Sequence, residues 1–424
     1  MASRPTSATT LTSRGIGLAA AGTAVGGLGV GLAAPPLVYV GVAMVGCVVV
    51  GGLWLLLSIN RFLSHFPFTH REVAPHPLTV GVPGRVTVTV SSAGGHRSRA
   101  ARRAFSEALD IREQAAAELT GGMSTKATVS RTEDAFCLSY SLLPSRRGRW
   151  PLGPALVHSY DPLGMMWSDT SVGGEEQIPV WPTVVDLSST AGALMGQADR
   201  VVLGARSPSA DDAALRDYRD GDDMRRVHWP SSARKGTMLV RSDERAGRRP
   251  ATVVLDLPRD ETALEWSICA AASIGLSVLD SGHPLRFLGG PSAPESLHHV
   301  GRQHPQQARS DVLNRTVDLA CPPSAAVGSA WLMAAIRHAA DSVTSGEVIV
   351  GVFEPLDADC LAALVPLGDA GRAWAIVRGN DDQDDRAQRS AAALRRAGWR
   401  ATTAHPHSDI DAVWTTLLTA GDMA

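Results

Sequence analysis

Residues 15–60 contain no charged side chain, and this stretch constrains the fold more than any other part of the chain. A bilayer core of about 30 Å takes about 20 helical residues for each crossing. The stretch is therefore long enough for two spans, predicted over residues 16–34 and 37–58. Pro35 and Pro36 should break the helix between them, which leaves room only for a tight antiparallel hairpin.

Glycines recur at four-residue spacing in the first predicted span. The pairs are Gly22 with Gly26 and Gly27 with Gly31. Small residues at this spacing allow two helix backbones to approach closely in a membrane. The pattern therefore predicts direct packing of the two spans over residues 1–70.

The charges beside the apolar stretch predict its orientation. Arg4 and Arg14 precede it, Arg61 and Arg71 follow it, and the linker carries none. Because cytoplasmic flanks are enriched in Lys and Arg, both ends are predicted to be cytoplasmic. The alternative is a cleaved signal peptide with an exported body, favoured by Arg14 and by small residues near Ala33. The second, longer span argues against it.

The region 72–187 is predicted to form a β-rich, sandwich-like domain. Residues 84–90 and 135–143 alternate apolar and polar side chains as half-buried strands do. Residues 180–184 are the predicted last strand. Residues 99–119 have a helix-forming composition within this β-rich region, so the sequence does not decide between helix and strand there.

Residues 251–424 are predicted to form an α/β domain. The apolar run 252–257 is typical of a central parallel strand that is covered on both faces. Further predicted strands, at 284–288, 347–353, 373–377 and 400–403, alternate with predicted helices at 263–279, 331–340, 385–397 and 410–418. This alternation predicts an open, mostly parallel, doubly wound sheet.

Between these domains, the segment 200–250 carries the densest mixture of charged and aromatic side chains. Its candidate residues are Arg216, Asp217, Tyr218, Gly221, Asp222, Asp223, Arg225, Arg226, His228, Trp229, Ala233, Arg234 and Gly236. A surface helix would spread its charges at i,i+4 spacing and keep an apolar stripe, which this segment does not do.

Two interpretations of this segment are compatible with each other. In the first, Tyr218 and Trp229 pack against the α/β sheet, while Asp222 pairs with Arg225 or Arg234 and fixes the loop. In the second, the arginines and aromatics are anchors for a protein partner.

The segment resembles the signature of the bacterial domain of unknown function 58 family, which is roughly Leu-Arg-x-Tyr-x-x-Gly-Asp-x-x-Arg-x-Ile-x-Trp-x-x-(Ser/Thr)-Ala-Arg-x-Gly. Residues 146–154 and 160–164 also look like the sequence that precedes this signature, with Trp150 and Leu163 in place of the commoner Tyr and Phe. The resemblance implies a β-rich domain followed by a von Willebrand factor A-like domain. It further implies a non-catalytic scaffold or adaptor that works with a MoxR-type AAA+ ATPase on membrane or envelope proteins.

A von Willebrand factor A-like domain builds its metal site from Asp-x-Ser-x-Ser after the first strand, with oxygen ligands suited to magnesium. The corresponding residues here are Asp256-Leu-Pro-Arg-Asp260. Pro258 and Asp260 replace the two hydroxyl residues, and Arg259 adds a positive charge. We therefore expect a degenerate site at Asp256, with no metal and no other cofactor.

The sequence leaves two other functions open. A hydrolase could use His228 as the base and Ser231 or Ser232 as the nucleophile, near Asp222, although the family more often has Asp at the position of His228. A nucleic-acid binder could use the basic stretch 225–249, but its interleaved acids weaken the field, and no nucleic-acid partner is expected. The five scattered cysteines lack a Cys-x-x-Cys pair and predict free thiols in a reducing compartment.

Overall fold

The computed structural model describes most of the chain. The described residues are 7–65, 68–91, 109–123, 127–131, 135–188, 194, 215–217, 229, 232–233, 236–241, 249–291, 299–301, 304–343, 347–368, 372–381 and 383–419. They belong to two compact units, within residues 1–181 and 182–424. The fold is mixed α/β, with several sheets, one of them parallel. None of the five cysteines, all of which are described, forms a disulfide.

The first unit begins with a helical hairpin. Helix α1 spans Ser13–Gly31 and helix α2 spans Pro35–His65. Pro35 and Pro36 were predicted to lie in the linker. They instead open α2, because proline in the first helical turn costs no hydrogen bond. The turn therefore lies at residues 32–34, earlier than the predicted linker at 35–36, and includes Ala33 at a φ of 49°.

Three glycines bring the two helices into contact. A Cβ on Gly41 would lie 2.5 Å from the Gly26 nitrogen and 2.6 Å from the Gly22 oxygen, so the backbones touch there. The predicted contact through Gly22 and Gly26 is confirmed. The second predicted pair is wrong, since a Cβ on Gly27 or Gly31 would meet nothing within 4 Å.

Two helices among the described residues are long and apolar enough to cross a membrane. One is Pro35–Asn60 within α2, and the other is helix α4, Glu261–Asp280. Helix α1, which contains most of the first predicted span, is not one of the two. Most of α4 is buried against the parallel sheet, so it is a core helix of the second unit. Much of α2 is exposed, including the side chains of Val42, Val49 and Leu53.

Among the described residues, ten strands form the β-rich part of the first unit. They are β1 (Ser7–Leu11), β2 (Phe68–Ala74), β3 (Leu78–Thr79), β4 (Gly84–Ser91), β5 (Leu109–Ala115), β6 (Thr128–Arg131), β7 (Ala135–Leu142), β8 (Gly148–Tyr160), β9 (Met166–Val172) and β10 (Glu176–Trp181). One sheet has the order β1-β9-β8-β10-β3, with β5 also paired to β8, and the other has the order β2-β4-β7-β6. Val86, Val88 and Leu138 from one sheet pack with Leu152 and Ile178 from the other in a shared core.

The predicted strands at 84–90 and 135–143 are confirmed as β4 and β7. The ambiguous range 99–119 contains strand β5 and the short helix α3, Ala117–Thr120, while residues 99–108 lie outside the described part. Strand β10 ends at Trp181, so residues 182–184 do not continue it as predicted. Pro182 cannot donate a hydrogen bond to a neighbouring strand, which accounts for the end.

Strand β1 was not predicted. It precedes the helical hairpin and pairs antiparallel with β9, with Ser7 opposite Thr170 and Leu11 opposite Met166. The residues before α1 and the residues after α2 therefore share one sheet.

The second unit is built on a parallel sheet. Its strands are β13 (Ala251–Leu255), β14 (Leu285–Leu288), β15 (Val348–Phe353), β16 (Ala373–Arg378) and β17 (Arg400–Ala404), in the order β14-β13-β15-β16-β17. Its helices are α4, α5 (Pro305–Val317), α6 (Ala325–Ser342), α7 (Ala358–Gly368), α8 (Asp385–Arg396) and α9 (Ile410–Thr419). Every residue of the three strands β13, β15 and β16 is buried. The predicted parallel α/β sheet is confirmed, whereas α5 and α7 were not predicted.

Candidate functional site

The charge-dense segment is bounded by a pair of short strands. Strand β11, Leu215–Asp217, pairs antiparallel with β12, Leu239–Arg241, with Leu215 opposite Arg241 and Asp217 opposite Leu239. The predicted residues Arg216 and Asp217 thus lie in β11. The pairing brings the two ends of the segment together.

Between β11 and β12 the described residues include Trp229, Ser232, Ala233 and Gly236. Trp229, Ser232 and Ala233 are helical, and the Gly236 amide donates to the Ser232 carbonyl over 2.9 Å. Gly236 has a φ of 71°, a left-handed conformation that glycine adopts without a steric penalty.

The Trp229 side chain is 60% exposed. The prediction that it packs against the α/β sheet is therefore wrong. Other large side chains fill the core of the unit, since Trp374 of β16 and Trp414 of α9 are fully buried. A large aromatic left in solvent is the kind of side chain that anchors protein interfaces.

The remaining candidates of the segment lie outside the described residues. They are Tyr218, Gly221, Asp222, Asp223, Arg225, Arg226, His228 and Arg234, together with Ser231 of the hydrolase alternative. The pairing of Asp222 with Arg234 stays a prediction.

The carboxyl ends of β13, β15 and β16 bring a second group of side chains together. The Asp256 carboxylate, directly after β13, accepts from the Glu354 amide over 3.1 Å. The Glu354 carboxylate accepts from Arg378 Nη2 over 2.6 Å, and Arg378 Nε donates to Ser267 Oγ over 3.1 Å. A buried guanidinium therefore lies at this edge of the sheet.

The residues that replace the hydroxyls of the metal motif serve the fold instead. The Asp260 carboxylate accepts from the Ala263 amide over 2.8 Å and caps α4. Pro258 is buried and has no side-chain oxygen. Within the described parts of the chain, no group of three or more His, Cys, Asp or Glu side chains is placed to hold a metal ion.

The pKa of Asp256 is raised to about 6, chiefly by burial and also by the nearby Glu354 carboxylate, while the amide hydrogen bonds and the Arg378 charge oppose the rise. A carboxyl with a raised pKa holds its proton longer in the folded chain than in the unfolded chain. Its contribution to stability is therefore present below about pH 4 and is lost as the pH rises to about 6.

We expect Asp256→Asn to remove this loss. Asparagine keeps an oxygen that can accept from the Glu354 amide but carries no charge. The melting temperature of the variant should equal that of the parent near pH 4 and should be higher than that of the parent at pH 7. The difference in the free energy of unfolding at pH 7 should be roughly 1–3 kcal/mol. Differential scanning calorimetry of both proteins across this pH range measures the difference. A difference in melting temperature that does not change with pH would contradict the raised pKa of Asp256.

A third group lies near the amino ends of the parallel strands, and the sequence analysis missed it. The Glu347 carboxylate accepts from Arg286 Nη2 over 2.8 Å and from the Thr252 hydroxyl, and His299 Nε2 lies 3.1 Å from the same oxygen. Arg286 Nε also donates to the Thr252 hydroxyl over 2.9 Å. The sequence feature that could have predicted this cluster is Arg286, which lies inside the otherwise apolar four-residue strand β14. Because these groups satisfy one another, the cluster ties neighbouring strands together.

Arg71 has a different role from the one predicted. Instead of flanking the membrane span as a free charge, it forms an ion pair with Glu113 inside the first unit. Tyr140 donates to the other oxygen of Glu113, and burial followed by the Glu113 charge raises the pKa of Tyr140. The predicted cytoplasmic location of both ends therefore depends on the other three arginines, of which Arg14 is exposed.

No protein-family model, curated protein or solved structure matches the chain. The resemblance of residues 215–236 to the domain of unknown function 58 signature stays a prediction.

Proposed function

We propose that this chain is a membrane-anchored, non-catalytic scaffold of the domain of unknown function 58 type. In this proposal it presents a docking segment, residues 215–241, to a MoxR-type AAA+ ATPase during assembly or maturation of membrane or envelope proteins. The observation that carries the proposal is the exposed indole of Trp229, held in a charge-dense segment whose ends pair as β11 and β12. Aromatic and arginine side chains dominate the binding energy of protein interfaces.

The pairing of β1 with β9 supports membrane anchoring with both ends on one side. Strand β1 lies before the hairpin and β9 after it, and two strands of one sheet cannot be separated by a bilayer. Cleavage of a signal peptide near Ala33 would remove β1 from the sheet, so the pairing disfavours the export alternative. With Arg14 at the start of α1, the proposed side is the cytoplasm of a bacterial cell.

The topology of the second unit supports a von Willebrand factor A-like domain. Val300 forms an isolated antiparallel bridge with Leu285, beyond β14 at the edge of the parallel sheet. A parallel sheet with one antiparallel edge is compatible with that fold. At the edge where such a domain binds metal, Arg378 supplies a built-in cation. We therefore propose docking of a protein without a metal ion.

The proposal predicts that Trp229→Ala weakens partner binding and spares the fold. Truncation of a central aromatic anchor costs about 2 kcal/mol or more, or roughly a 30-fold loss of affinity. Because the Trp229 side chain is exposed, its truncation should leave the melting temperature within about 2 °C of that of the parent. Crosslinking in native membranes followed by affinity capture and mass spectrometry measures recovery of the ATPase.

Val365→Ala is the matched control, because it removes an exposed apolar side chain from α7 in the same unit. Recovery should be unchanged in this variant. Equal recovery with Trp229→Ala and with the parent would contradict the docking role of the segment.

A further inference from the structure

The turn between β8 and β9 lies directly against the helical hairpin. A Cβ on Gly51 of α2 would lie 2.9 Å from Asp161 Oδ2, and a Cβ on Gly52 would lie 2.6 Å from Met166 Sδ. The turn therefore meets α2 where two consecutive glycines leave room for it.

The start of α1 fixes the same turn. The Thr12 amide donates to the Met165 carbonyl over 2.8 Å, and the Thr12 hydroxyl donates to the Gly164 carbonyl over 2.8 Å. The buried Asp161 carboxylate accepts from the Leu163 and Met166 amides, over 3.1 and 2.6 Å. These bonds make the turn a rigid part of the base of the hairpin.

The length of the hairpin places this turn at a definite depth. From Pro35 to Gly51 there are 16 residue steps, or about 24 Å of helix at about 1.5 Å per residue. The hydrocarbon core of a bilayer is about 30 Å thick, so α2 must continue beyond Gly51 to cross it. Any tilt of the helix shortens the depth that is covered and draws the turn closer to the bilayer.

The side chains around this level suit a membrane surface. Beyond Gly51, α2 still exposes Leu53, Trp54, Leu56 and Leu57. On the turn itself Leu163 is 57% exposed, and Tyr160 is exposed beside it. Tyrosine and tryptophan favour the boundary between headgroups and hydrocarbon, where one end of the ring is apolar and the other is wet.

We propose that the β8–β9 turn is a membrane-contact element, with Leu163 inserted at the boundary between lipid headgroups and acyl chains and Tyr160 lying at the headgroup level. This inference rests on the membrane anchoring proposed above. The rigid coupling of the turn to Thr12 and Gly51 then fixes the β-rich sheets against the bilayer, because the turn and the hairpin enter the membrane as one body.

Fluorescence quenching on the full-length chain tests the depth of the turn. An environment-sensitive fluorescent amino acid replaces Leu163, Val42 or Val129 in turn, and each protein is placed in nanodiscs of phosphatidylcholine and phosphatidylglycerol. The lipids are brominated near either the carbonyl end or the methyl end of the acyl chain. Val42 is an exposed residue in the middle of the hairpin, and Val129 is an exposed residue of β6.

We expect the label at 163 to be quenched at least about twofold more by shallow bromine than by deep bromine. The label at 42 should show the reverse order, and the label at 129 should not be quenched. Quenching at 42 without quenching at 163 would overturn the membrane contact and leave the anchor standing. No quenching at 42 would overturn the anchor itself, and equal quenching at 129 and 163 would show that the turn is not the contact.

Discussion

Replacement of Glu347 by alanine should lower the melting temperature of the α/β unit by roughly 6–20 °C. The side chain of Arg286 is 2% exposed and that of Glu347 is fully buried. Loss of the carboxylate leaves the guanidinium buried without its counter-charge, which costs about 3–5 kcal/mol. At about 2–4 °C per kcal/mol for a unit of this size, the shift is large enough to measure by calorimetry.

The chain offers a matched control for this prediction in the ion pair of Arg309 with Asp280. Both pairs have a nitrogen–oxygen distance of 2.8 Å, but the control side chains are 39% and 49% exposed. Arg309→Ala should cost less than about 1 kcal/mol, because water solvates the remaining carboxylate. Similar losses from Glu347→Ala and Arg309→Ala would show that burial does not set the cost.

The double variant Arg286→Met with Glu347→Leu separates pairing from packing. Apolar side chains of similar volume remove both charges, so the double variant should recover much of the stability lost in Glu347→Ala. If the stability lost in the double variant equals the sum of the losses in its two single variants, Arg286 and Glu347 are not coupled.

The main elements of the fold were predictable because their sequence signals are local. A long stretch without charge predicts apolar helices, and runs such as 252–257 and 347–353 predict buried parallel strands wherever they occur. Strand β1 gave no such signal. Ser-Ala-Thr-Thr-Leu is short and weakly apolar, and its partner β9 is more than 150 residues away in the sequence. Its pairing depends on the hairpin returning the chain to the same place.

The charged residues show the limit of sequence reasoning more clearly. Arg71 was interpreted by its distance from the apolar stretch, but its role is set by Glu113, which reaches it only in the folded sheets. One interpretation of Trp229 was that it packs against the α/β sheet, but its side chain is exposed, and the core of that unit already holds Trp374 and Trp414. At Asp256 the substitutions in the motif were visible in the sequence. The guanidinium of Arg378 near it was not, because the two residues meet only where parallel strands end together.

Gly41→Leu should separate the two helices of the hairpin. The added side chain would begin 2.5–2.7 Å from backbone atoms of Gly26 and Gly22, and backbone cannot move aside as a side chain can. Overpacking of this kind costs about 1–3 kcal/mol. Because β1 is joined to α1 through Thr12, loosening of α1 should also expose the amides of Ser7–Leu11. Their hydrogen exchange should accelerate roughly 5- to 150-fold in the full-length protein in bilayers.

Gly46→Leu is the control, since it adds the same side chain to the same helix at a position where a Cβ meets nothing within 4 Å. Exchange at β1 should be unchanged in this variant. Acceleration by both variants would mean that added bulk anywhere in α2 is disruptive, whereas acceleration by neither would mean that β1 is held by β9 alone. Only acceleration by Gly41→Leu alone supports a hairpin whose close backbone contact holds the strand before it in the sheet after it.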